Sequence, residues 1–273
     1  MKFKYEIKNC LARREIHFIF NLLMILSIIG FLMECIAVYN KKMSFLRSSA
    51  ESSLIQGTYS VSIMGTVLIM LPILSGIIFS DSIHTEFKSG VYKSILTRVP
   101  KKTYVLTKAV VISVTTFFVF FIPFIVNQLL CTLFFPIEGY DNIYSLPPYD
   151  IGFQNFHYEY LFDFLRVQHP IIYNLFFAFL ISLFASAVAV LTYSVYFFTL
   201  EKNRIAGIVL VFGAYIVSTI LFSIIKLDGF SLYDQIKPGH IGDSVGLILW
   251  FIFLLVLSSS LIISKGVRKE WEL

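Results

Sequence analysis

Six apolar stretches, each long enough to cross a bilayer as a helix, constrain this chain more than any other feature. At about 1.5 Å per residue, roughly 20 residues span the ~30 Å hydrocarbon core of a membrane. Apolar residues make up 57% of the 273 positions, and charged residues make up only 14%. The stretches cover residues 18–39, 61–80, 105–135, 171–200, 205–225 and 245–264. We therefore predict an all-α polytopic membrane protein, with residues 1–273 forming a single transmembrane domain of six spans.

Lysine and arginine are distributed unequally between the two ends of these spans. Sixteen of the 22 lie at the end that holds both termini, and six lie at the other end. Because loops rich in Lys and Arg stay in the cytoplasm, the sequence predicts cytoplasmic N- and C-termini and an extracellular loop over residues 136–170. The formal charge of +5 needs no nucleic-acid partner, since orientation in the membrane explains it.

Residues 1–17 predict an amphipathic helix ahead of the first span. Phe3, Ile7 and Leu11 recur at helical spacing, and lysines fall largely on the opposite side. Such a helix suits the anionic cytoplasmic leaflet, so we expect an interface helix whose partner is membrane lipid. The alternative is a frayed basic tail that only sets the topology. We expect no removable signal peptide, because the following apolar stretch is too long and lacks a small-residue cleavage site.

Residues 81–104, between the second and third spans, predict a cytoplasmic segment with a helix of its own. Over residues 86–99, apolar side chains recur every three to four positions, and Pro100 then limits continuation of the helix. The stripe consists of Phe87, Val91, Tyr92, Ile95, Leu96 and Val99, with Lys88 and Lys93 at its flanks. An apolar stripe outside the bilayer needs a cover, which either the lipid surface or the groove of a partner protein provides.

The same segment resembles the permease subunits of ATP-binding cassette transporters of the second bacterial subfamily. In that family an acidic residue precedes Gly-x-x-Lys, Leu-Thr, a basic residue and a further Lys that enters the third span. The matching residues here are Glu86, Gly90, Val91, Tyr92, Lys93, Leu96, Thr97, Lys101 or Lys102, and Lys108. Val91 departs from the pattern, since Thr commonly follows the Gly, and Arg is usual where Lys101 or Lys102 stands. The local match covers residues 81–108, and the six-span layout agrees over the whole chain.

The resemblance implies a coupling helix that inserts into a cleft of a separate cytosolic ATPase. Its implied coupling residues are Glu86, Phe87, Lys88, Gly90, Val91, Tyr92, Lys93 and Leu96. It also implies a second permease chain, identical or a sister, and a multi-pass location in the bacterial cytoplasmic membrane. The chain contains no Gly-x-x-x-x-Gly-Lys-Ser/Thr motif, so ATP and Mg²⁺ are expected in the partner ATPase, and this chain is expected to be no enzyme and to bind no cofactor.

The function that we expect is the transmembrane permease subunit of an ATP-driven exporter. A hydrophobic or amphipathic substrate suits the Phe-rich spans, and a peptide, such as an antimicrobial peptide, is the expected class. A membrane-embedded enzyme, such as a protease or a lipid-modifying transferase, is one alternative and would need catalytic groups at one membrane depth. An ATP-independent transporter is another, and would need inverted repeats or helices broken at matching positions.

Three polar residues inside the apolar stretches are candidate pathway residues. Glu34 is the only acidic residue well inside a stretch, and a carboxylate in a bilayer is costly enough to suggest a function. Its position near the outer end favours a structural or interface role slightly over substrate contact. For Asn127 and Gln128, hydrogen bonding between helices is an equal alternative.

The chain offers little for metal or disulfide chemistry. Asp81 and His84 have a spacing that would put them on one side of a helix, but a third ligand is not evident, so no metal site is expected. Cys10, Cys35 and Cys131 are too few for a disulfide framework and are expected to pack as apolar residues. A single bridge between Cys35 and Cys131, both near outer span ends, stays open.

Overall fold

The computed structural model describes residues 2–41, 46–137, 158–199, 204–227 and 229–268. Within these ranges the chain is helical apart from turns, loops and an isolated antiparallel bridge between Tyr160 and Ile241. Six helices there are long and apolar enough to cross a membrane. The prediction of a multi-pass α-helical membrane protein is thereby confirmed. Most of the predicted extracellular loop, residues 138–157, lies outside the described residues.

The helices are numbered in chain order. They are α1 (Lys2–Leu11), α2 (Arg14–Val38), α3 (Val61–Ile77), α4 (Ser82–Lys88), α5 (Val91–Leu96), α6 (Lys101–Phe134), α7 (Asp163–Gln168), α8 (Pro170–Tyr196), α9 (Ala206–Ile224), α10 (Leu232–Ile236) and α11 (Ser244–Leu261), which continues as a π-helix (Ile262–Arg268). The candidate spans are α2, α3 with α4, α6, α8, α9 and α11 with its π-helical extension. Their ends lie within a few residues of the predicted ends, except that the second candidate span runs on to Lys88.

Two predicted helices outside the spans differ from the structure. The interface helix predicted over residues 1–17 ends at Leu11, and α2 begins at Arg14 after an extended Arg13 (φ −77°, ψ 136°). The helix predicted over residues 86–99 is instead the end of α4 followed by α5, because Gly90 between them has φ +72°. A left-handed residue cannot continue a right-handed helix, and glycine adopts this conformation at low cost.

Helix α8 is the central element of the bundle and packs against α3, α6, α9 and α11. Its small residues Ala178, Ser182, Ala185 and Ala189 are almost fully buried. Small side chains let helix backbones approach closely, which matters in lipid because no hydrophobic effect drives helices together there. These small residues therefore serve packing within one chain.

Helix α9 is the least buried of the candidate spans, and one of its contacts with α3 forms next to a proline. Within α9 only Gly207, Val211 and Tyr215 are buried. Pro72 has no N–H group, so the carbonyl of Leu68, four residues earlier, lacks its usual helical donor. The Tyr215 hydroxyl donates to that carbonyl oxygen at 3.1 Å. The hydrogen bond therefore holds α9 against α3 at the level of the proline.

Replacement of Tyr215 by Phe removes this hydrogen bond with little change in volume. We expect the free energy of unfolding to fall by about 1 kcal/mol, in line with hydrogen bonds between membrane helices. SDS-induced unfolding of the purified chain measures this change. The matched control is Tyr59→Phe, because the Tyr59 side chain is half exposed and its hydroxyl only accepts a bond from Lys41. Equal losses in the two variants would contradict the role of Tyr215.

Candidate functional site

Helices α4 and α5 form a short segment at one end of the bundle, called here the basic end, which also holds α1 and the start of α6. Gly90 joins the two helices, and a Cβ atom added there would meet no atom within 4 Å. Lys88, Val91 and Lys93 around this turn are exposed. The turn is thus the open surface of the segment.

The apolar residues of this segment divide into an inner set and an outer one. The Phe87 and Tyr92 rings stack with centroids 4.8 Å apart and an interplanar angle of 20°, and Tyr92 is only 4% exposed. Leu96 is half-buried and packs against the core of the bundle. Val91, in contrast, is 47% exposed. The stripe predicted to meet a partner is therefore mostly used within the chain, and Val91 is the apolar residue left at the turn.

Lys108, in the second turn of α6, is fully buried and pairs with carboxylates from two other helices. Its Nζ lies 2.6 Å from Glu86 Oε1 on α4 and 3.2 Å from Glu6 Oε2 on α1. The Tyr104 hydroxyl, one turn earlier on α6, donates to Glu86 Oε2. Removal of one partner from a buried ion pair leaves an uncompensated charge, which is strongly destabilising. This group of four residues, called the Lys108 cluster, holds α1, α4 and α6 together.

Asp81 organises a second charged cluster at the break between α3 and α4. Its Oδ1 accepts a hydrogen bond from Arg13 Nη1 at 2.7 Å, and its Oδ2 accepts one from Arg204 Nε. Arg204 also pairs with Glu15 at 2.6 Å, and this hydrogen bond holds the pKa of the Arg204 guanidinium above its ordinary value. The Asp81 cluster thus connects the start of α2, the α3–α4 break and the residues before α9.

Phe79 lies between the two clusters. Its backbone has φ +58°, which is uncommon for a residue other than glycine, and this conformation follows the end of α3. Its buried ring has the Arg13 guanidinium carbon 4.6 Å and Lys108 Nζ 5.1 Å from the centroid. Cations at such distances are attracted to the face of an aromatic ring. Phe79 therefore adds a contact to each cluster while the chain changes direction from α3 to α4.

Helix α1 lies against α6 through Glu6 and Cys10. The Cys10 thiol is buried 3.5 Å from Thr115 Oγ1, and burial raises its pKa to about 11, so it stays protonated near neutral pH. Of the three predicted interface residues, Phe3 and Leu11 are about half exposed, whereas Ile7 packs against the core. Contact of this helix with lipid stays a prediction.

Within the described residues, no group of three or more His, Cys, Asp and Glu side chains could hold a metal ion. The Asp81 carboxylate is directed to Arg13 and Arg204. His84 is buried, with its ring centroid 5.9 Å from that of Tyr196. Asp81 thus binds guanidinium groups, and His84 packs beside an aromatic ring.

At the opposite end of the bundle, residues 46–60 form a non-helical loop that is largely buried. Backbone groups removed from water need hydrogen-bond partners, and in a membrane protein such a loop is tolerated only where the protein provides them. Asn174 on α8 provides several of these contacts: its Nδ2 donates to Ala50 O at 2.9 Å and to Ser53 Oγ at 2.8 Å, and its Oδ1 accepts from Gln56 Nε2 at 2.7 Å.

The three candidate pathway residues belong to this same network. Asn127 Oδ1 accepts from the Leu54 N–H at 2.7 Å, and Gln128 Nε2 donates to Ser49 O at 3.4 Å. Glu34 Oε1 accepts three hydrogen bonds, from the N–H groups of Tyr59 and Ser60 at 2.9 Å each and from Ser60 Oγ at 3.0 Å. In this structure these side chains hold the loop, and contact with a substrate stays a prediction.

The cysteines are all free. Cys131 is buried and donates through Sγ to Ser52 O at 3.2 Å, so it belongs to the loop network. Cys35 packs near it, in a small apolar cluster with Phe31 and Phe135.

Sequence reasoning selects Glu86 and Lys108 but misses most of their surroundings. Arg13 and Asp81 are 68 residues apart, and Arg204 and Asp81 are 123 residues apart. No local pattern links such residues, because their contact depends on how the helices pack. The sequence marks Asp81 only as one half of a His–Asp pair, and Glu6 and Tyr104 carry no signal for the contacts they make.

No family model, curated protein or solved structure matches this chain. The fold itself defines a class, that of α-helical membrane proteins with six candidate spans. The described part of this chain adds two charged clusters, each built around a buried residue, at one end of the bundle and a polar, loop-filled region at the other.

Proposed function

We propose that this chain is the transmembrane permease subunit of an ATP-driven exporter of the ATP-binding cassette class, with both termini and the α4–α5 segment in the cytoplasm. The buried contact between Lys108 and Glu86 is the observation that carries the proposal. A permease of this kind must pass the movement of a cytosolic ATPase to its spans. That transmission needs a segment outside the membrane that is tied firmly to a span, and the Lys108 cluster supplies such a tie.

This contact also gives a physical reason for the residue pattern that resembles the permease family. Glu86 is the first residue of the pattern, and Lys108, near the start of the third span, is the last. Side chains 22 residues apart in the chain meet as an ion pair, which Tyr104 and Glu6 complete. Displacement of the α4–α5 segment would therefore pull on α6 and on α1 together. This is the mechanical role expected of a coupling segment.

The proposal assigns ATP, Mg²⁺ and nucleotide hydrolysis to a cytosolic partner. A second permease chain, identical or a sister, would share the pathway, and the exposed apolar surface of α9 and α11 is available to it or to lipid. The substrate is proposed to be hydrophobic or amphipathic, with a peptide as the preferred class. The bacterial cytoplasmic membrane is the proposed location.

Crosslinking tests the docking of the α4–α5 turn. With Cys35 replaced by Ala, a Val91→Cys variant is reconstituted with the cassette ATPase encoded nearest to its gene and treated with a short bifunctional maleimide. We expect a crosslinked permease–ATPase product, because Val91 is exposed at the turn. The matched control is Val61→Cys. Val61 is also exposed, but it lies at the start of α3, at the end of that helix away from the α4–α5 segment, so the control should give no crosslinked product.

The same preparation reports on function. ATP hydrolysis should increase when the permease is present, and should increase further with an amphipathic peptide if the substrate class is correct. Absence of both the Val91 crosslink and any effect on hydrolysis would reject the proposal. A membrane-embedded enzyme or an ATP-independent transporter would then have to be reconsidered.

A further inference from the structure

Side chains of the spans hold backbone groups of the buried loop, residues 46–60. They donate to the carbonyl oxygens of Ser49, Ala50 and Ser52, and they accept from the N–H groups of Leu54, Tyr59 and Ser60. Backbone N–H and C=O groups recur along every peptide, so contacts of this kind depend little on sequence. The side chains that provide them are Glu34 on α2, Asn127, Gln128 and Cys131 on α6, and Asn174 on α8.

An apolar side chain anchors the loop among these polar contacts. Leu54 is 2% exposed and lies against α2 at Gly30, where an added Cβ would be 2.7 Å from Leu54 Cδ1. The lack of a side chain at Gly30 thus leaves the space that Leu54 fills. An amphipathic peptide offers the same two features as the loop, namely backbone amide groups and an apolar side chain.

The loop is longer than the connection between its two helices requires. Residues 39–60 connect α2 to α3, whereas helix–helix connections in bundles usually have about 2–8 residues. Segments with few buried apolar contacts open at a low free energy. The loop therefore has the properties of a segment that can leave its site while the spans stay packed. Its larger buried apolar residues are Leu54 and Ile55, and its other buried residues are Ser48, Ser49, Ala50, Ser52, Ser53, Gly57 and Ser60.

We propose that Glu34, Asn127, Gln128 and Asn174 form a peptide-binding site, that the loop occupies this site as an internal ligand, and that an amphipathic peptide takes its place when the loop withdraws. This inference rests on the proposed function and deepens it, because it gives the peptide substrate a site. The loop is part of the same chain, so its effective concentration at the site is high, and it keeps the site closed against weak ligands.

Binding of a synthetic peptide to the full chain in nanodiscs tests the proposal. The probe is a fluorescent peptide with the sequence of residues 47–57, and its binding is followed by fluorescence anisotropy. Leu54→Ala weakens the internal ligand and leaves the side chains of the spans unchanged. Because the loop competes with the probe, we expect this variant to bind the probe about tenfold more tightly than the unaltered chain does. The matched control is Leu129→Ala, an exposed position on α6, which should behave like the unaltered chain.

A methylated probe tests recognition of the backbone itself. A methyl group on the leucine nitrogen removes the N–H group that corresponds to the one accepted by Asn127, and the leucine side chain is kept. We expect the affinity of Leu54→Ala for this probe to be about tenfold lower, since Asn127 Oδ1 is left without its donor. With Asn127→Leu added, the two probes should bind equally.

The native cysteines report whether the loop leaves its site. Cys131 is buried and donates to Ser52 O in the loop, whereas Cys10 is buried at the other end of the bundle. With Cys35 replaced by Ala, a membrane-impermeant maleimide should modify Cys131 about tenfold faster in Leu54→Ala than in the unaltered chain. Saturating probe should also accelerate modification of Cys131 in the unaltered chain. Cys10 should react at the same rate throughout.

The outcomes separate this inference from the proposed function. Equal affinity of Leu54→Ala for the two probes, or no acceleration at Cys131, would show that the loop is a permanent part of the bundle and overturn the inference. If Leu54→Ala does not fold, the effect of the probe on Cys131 in the unaltered chain decides in the same way. A Val91 crosslink with stimulated ATP hydrolysis but no probe binding would overturn only the peptide site. Probe binding with the expected dependence, but without any effect on an ATPase, would support the site and reject the permease.

Discussion

The Lys108→Met variant is expected to lose about 3–5 kcal/mol of unfolding free energy, because it breaks a buried ion-pair network. Methionine fills a similar volume but carries no charge, so Glu6 and Glu86 would remain buried without their cation. Both carboxylates contact Lys108 Nζ directly, and the lysine side chain is fully buried. SDS-induced unfolding of the purified chain measures the loss.

A milder variant and a control keep the test informative if Lys108→Met does not insert into the membrane. Glu86→Gln keeps a hydrogen-bond acceptor near Lys108 and leaves Glu6 as its counter-charge, so a loss of about 1–3 kcal/mol is expected. Lys102→Met is the matched control, because Lys102 is exposed on the same helix, and it should stay within about 0.5 kcal/mol of the unaltered chain. If Lys108→Met unfolds no more easily than Lys102→Met, the cluster does not hold α1, α4 and α6 together.

The Lys108 cluster also has a functional readout. If it transmits movement, Glu86→Gln should still bind the ATPase through the α4–α5 turn but should show a weaker increase in ATP hydrolysis. A variant that loses binding and stimulation in equal proportion would instead indicate that Glu86 only shapes the docking surface.

The Gly57→Ala variant is expected to lose about 3 kcal/mol of unfolding free energy, because the site is already filled. A Cβ atom at this position would lie 2.6 Å from Ser53 O and closer still to Glu34 Oε1 and Ser60 Oγ. Two of these oxygens belong to the network that holds the buried loop, and the third accepts the Gly57 N–H. The added methyl would have to displace the carboxylate or the loop backbone, and overpacking of this kind typically costs about 1–3 kcal/mol.

The matched control is Gly213→Ala in α9, where an added Cβ would meet no atom within 4 Å. Alanine has a better helix propensity than glycine, so this variant should be neutral or more stable by up to about 1 kcal/mol. Thermal unfolding followed by size-exclusion chromatography ranks both variants against the unaltered chain. A Gly57→Ala variant as stable as Gly213→Ala would show that the loop around Glu34 is loosely packed.

The sequence by itself determined the class of the protein and the number of its spans. Length and apolarity are local properties of a stretch of chain, so the six spans could be found without knowledge of any contact. The pattern from Glu86 to Lys108 was local in the same sense, and it marked two residues that the fold brings together. The three-to-four-residue spacing of apolar side chains around Tyr92 was also visible in the sequence. That spacing alone does not say which residue or which protein covers an apolar side chain.

Only the tertiary structure decided which groups these polar residues contact. The sequence left Glu34, Asn127 and Gln128 open between a pathway and a packing role, and their partners in residues 46–60 emerged from the packing of α2, α6 and α8. Asp81 meets Arg204 from 123 residues away, and Tyr92 is covered by Phe87 because Gly90 ends one helix and allows another to begin. An apolar side chain can lie in lipid at any position around a membrane-spanning helix. A hydrogen bond or an ion pair, in contrast, forms only when two helices have the right position and rotation relative to each other. That information is distributed over the whole bundle, and no local window of the chain contains it.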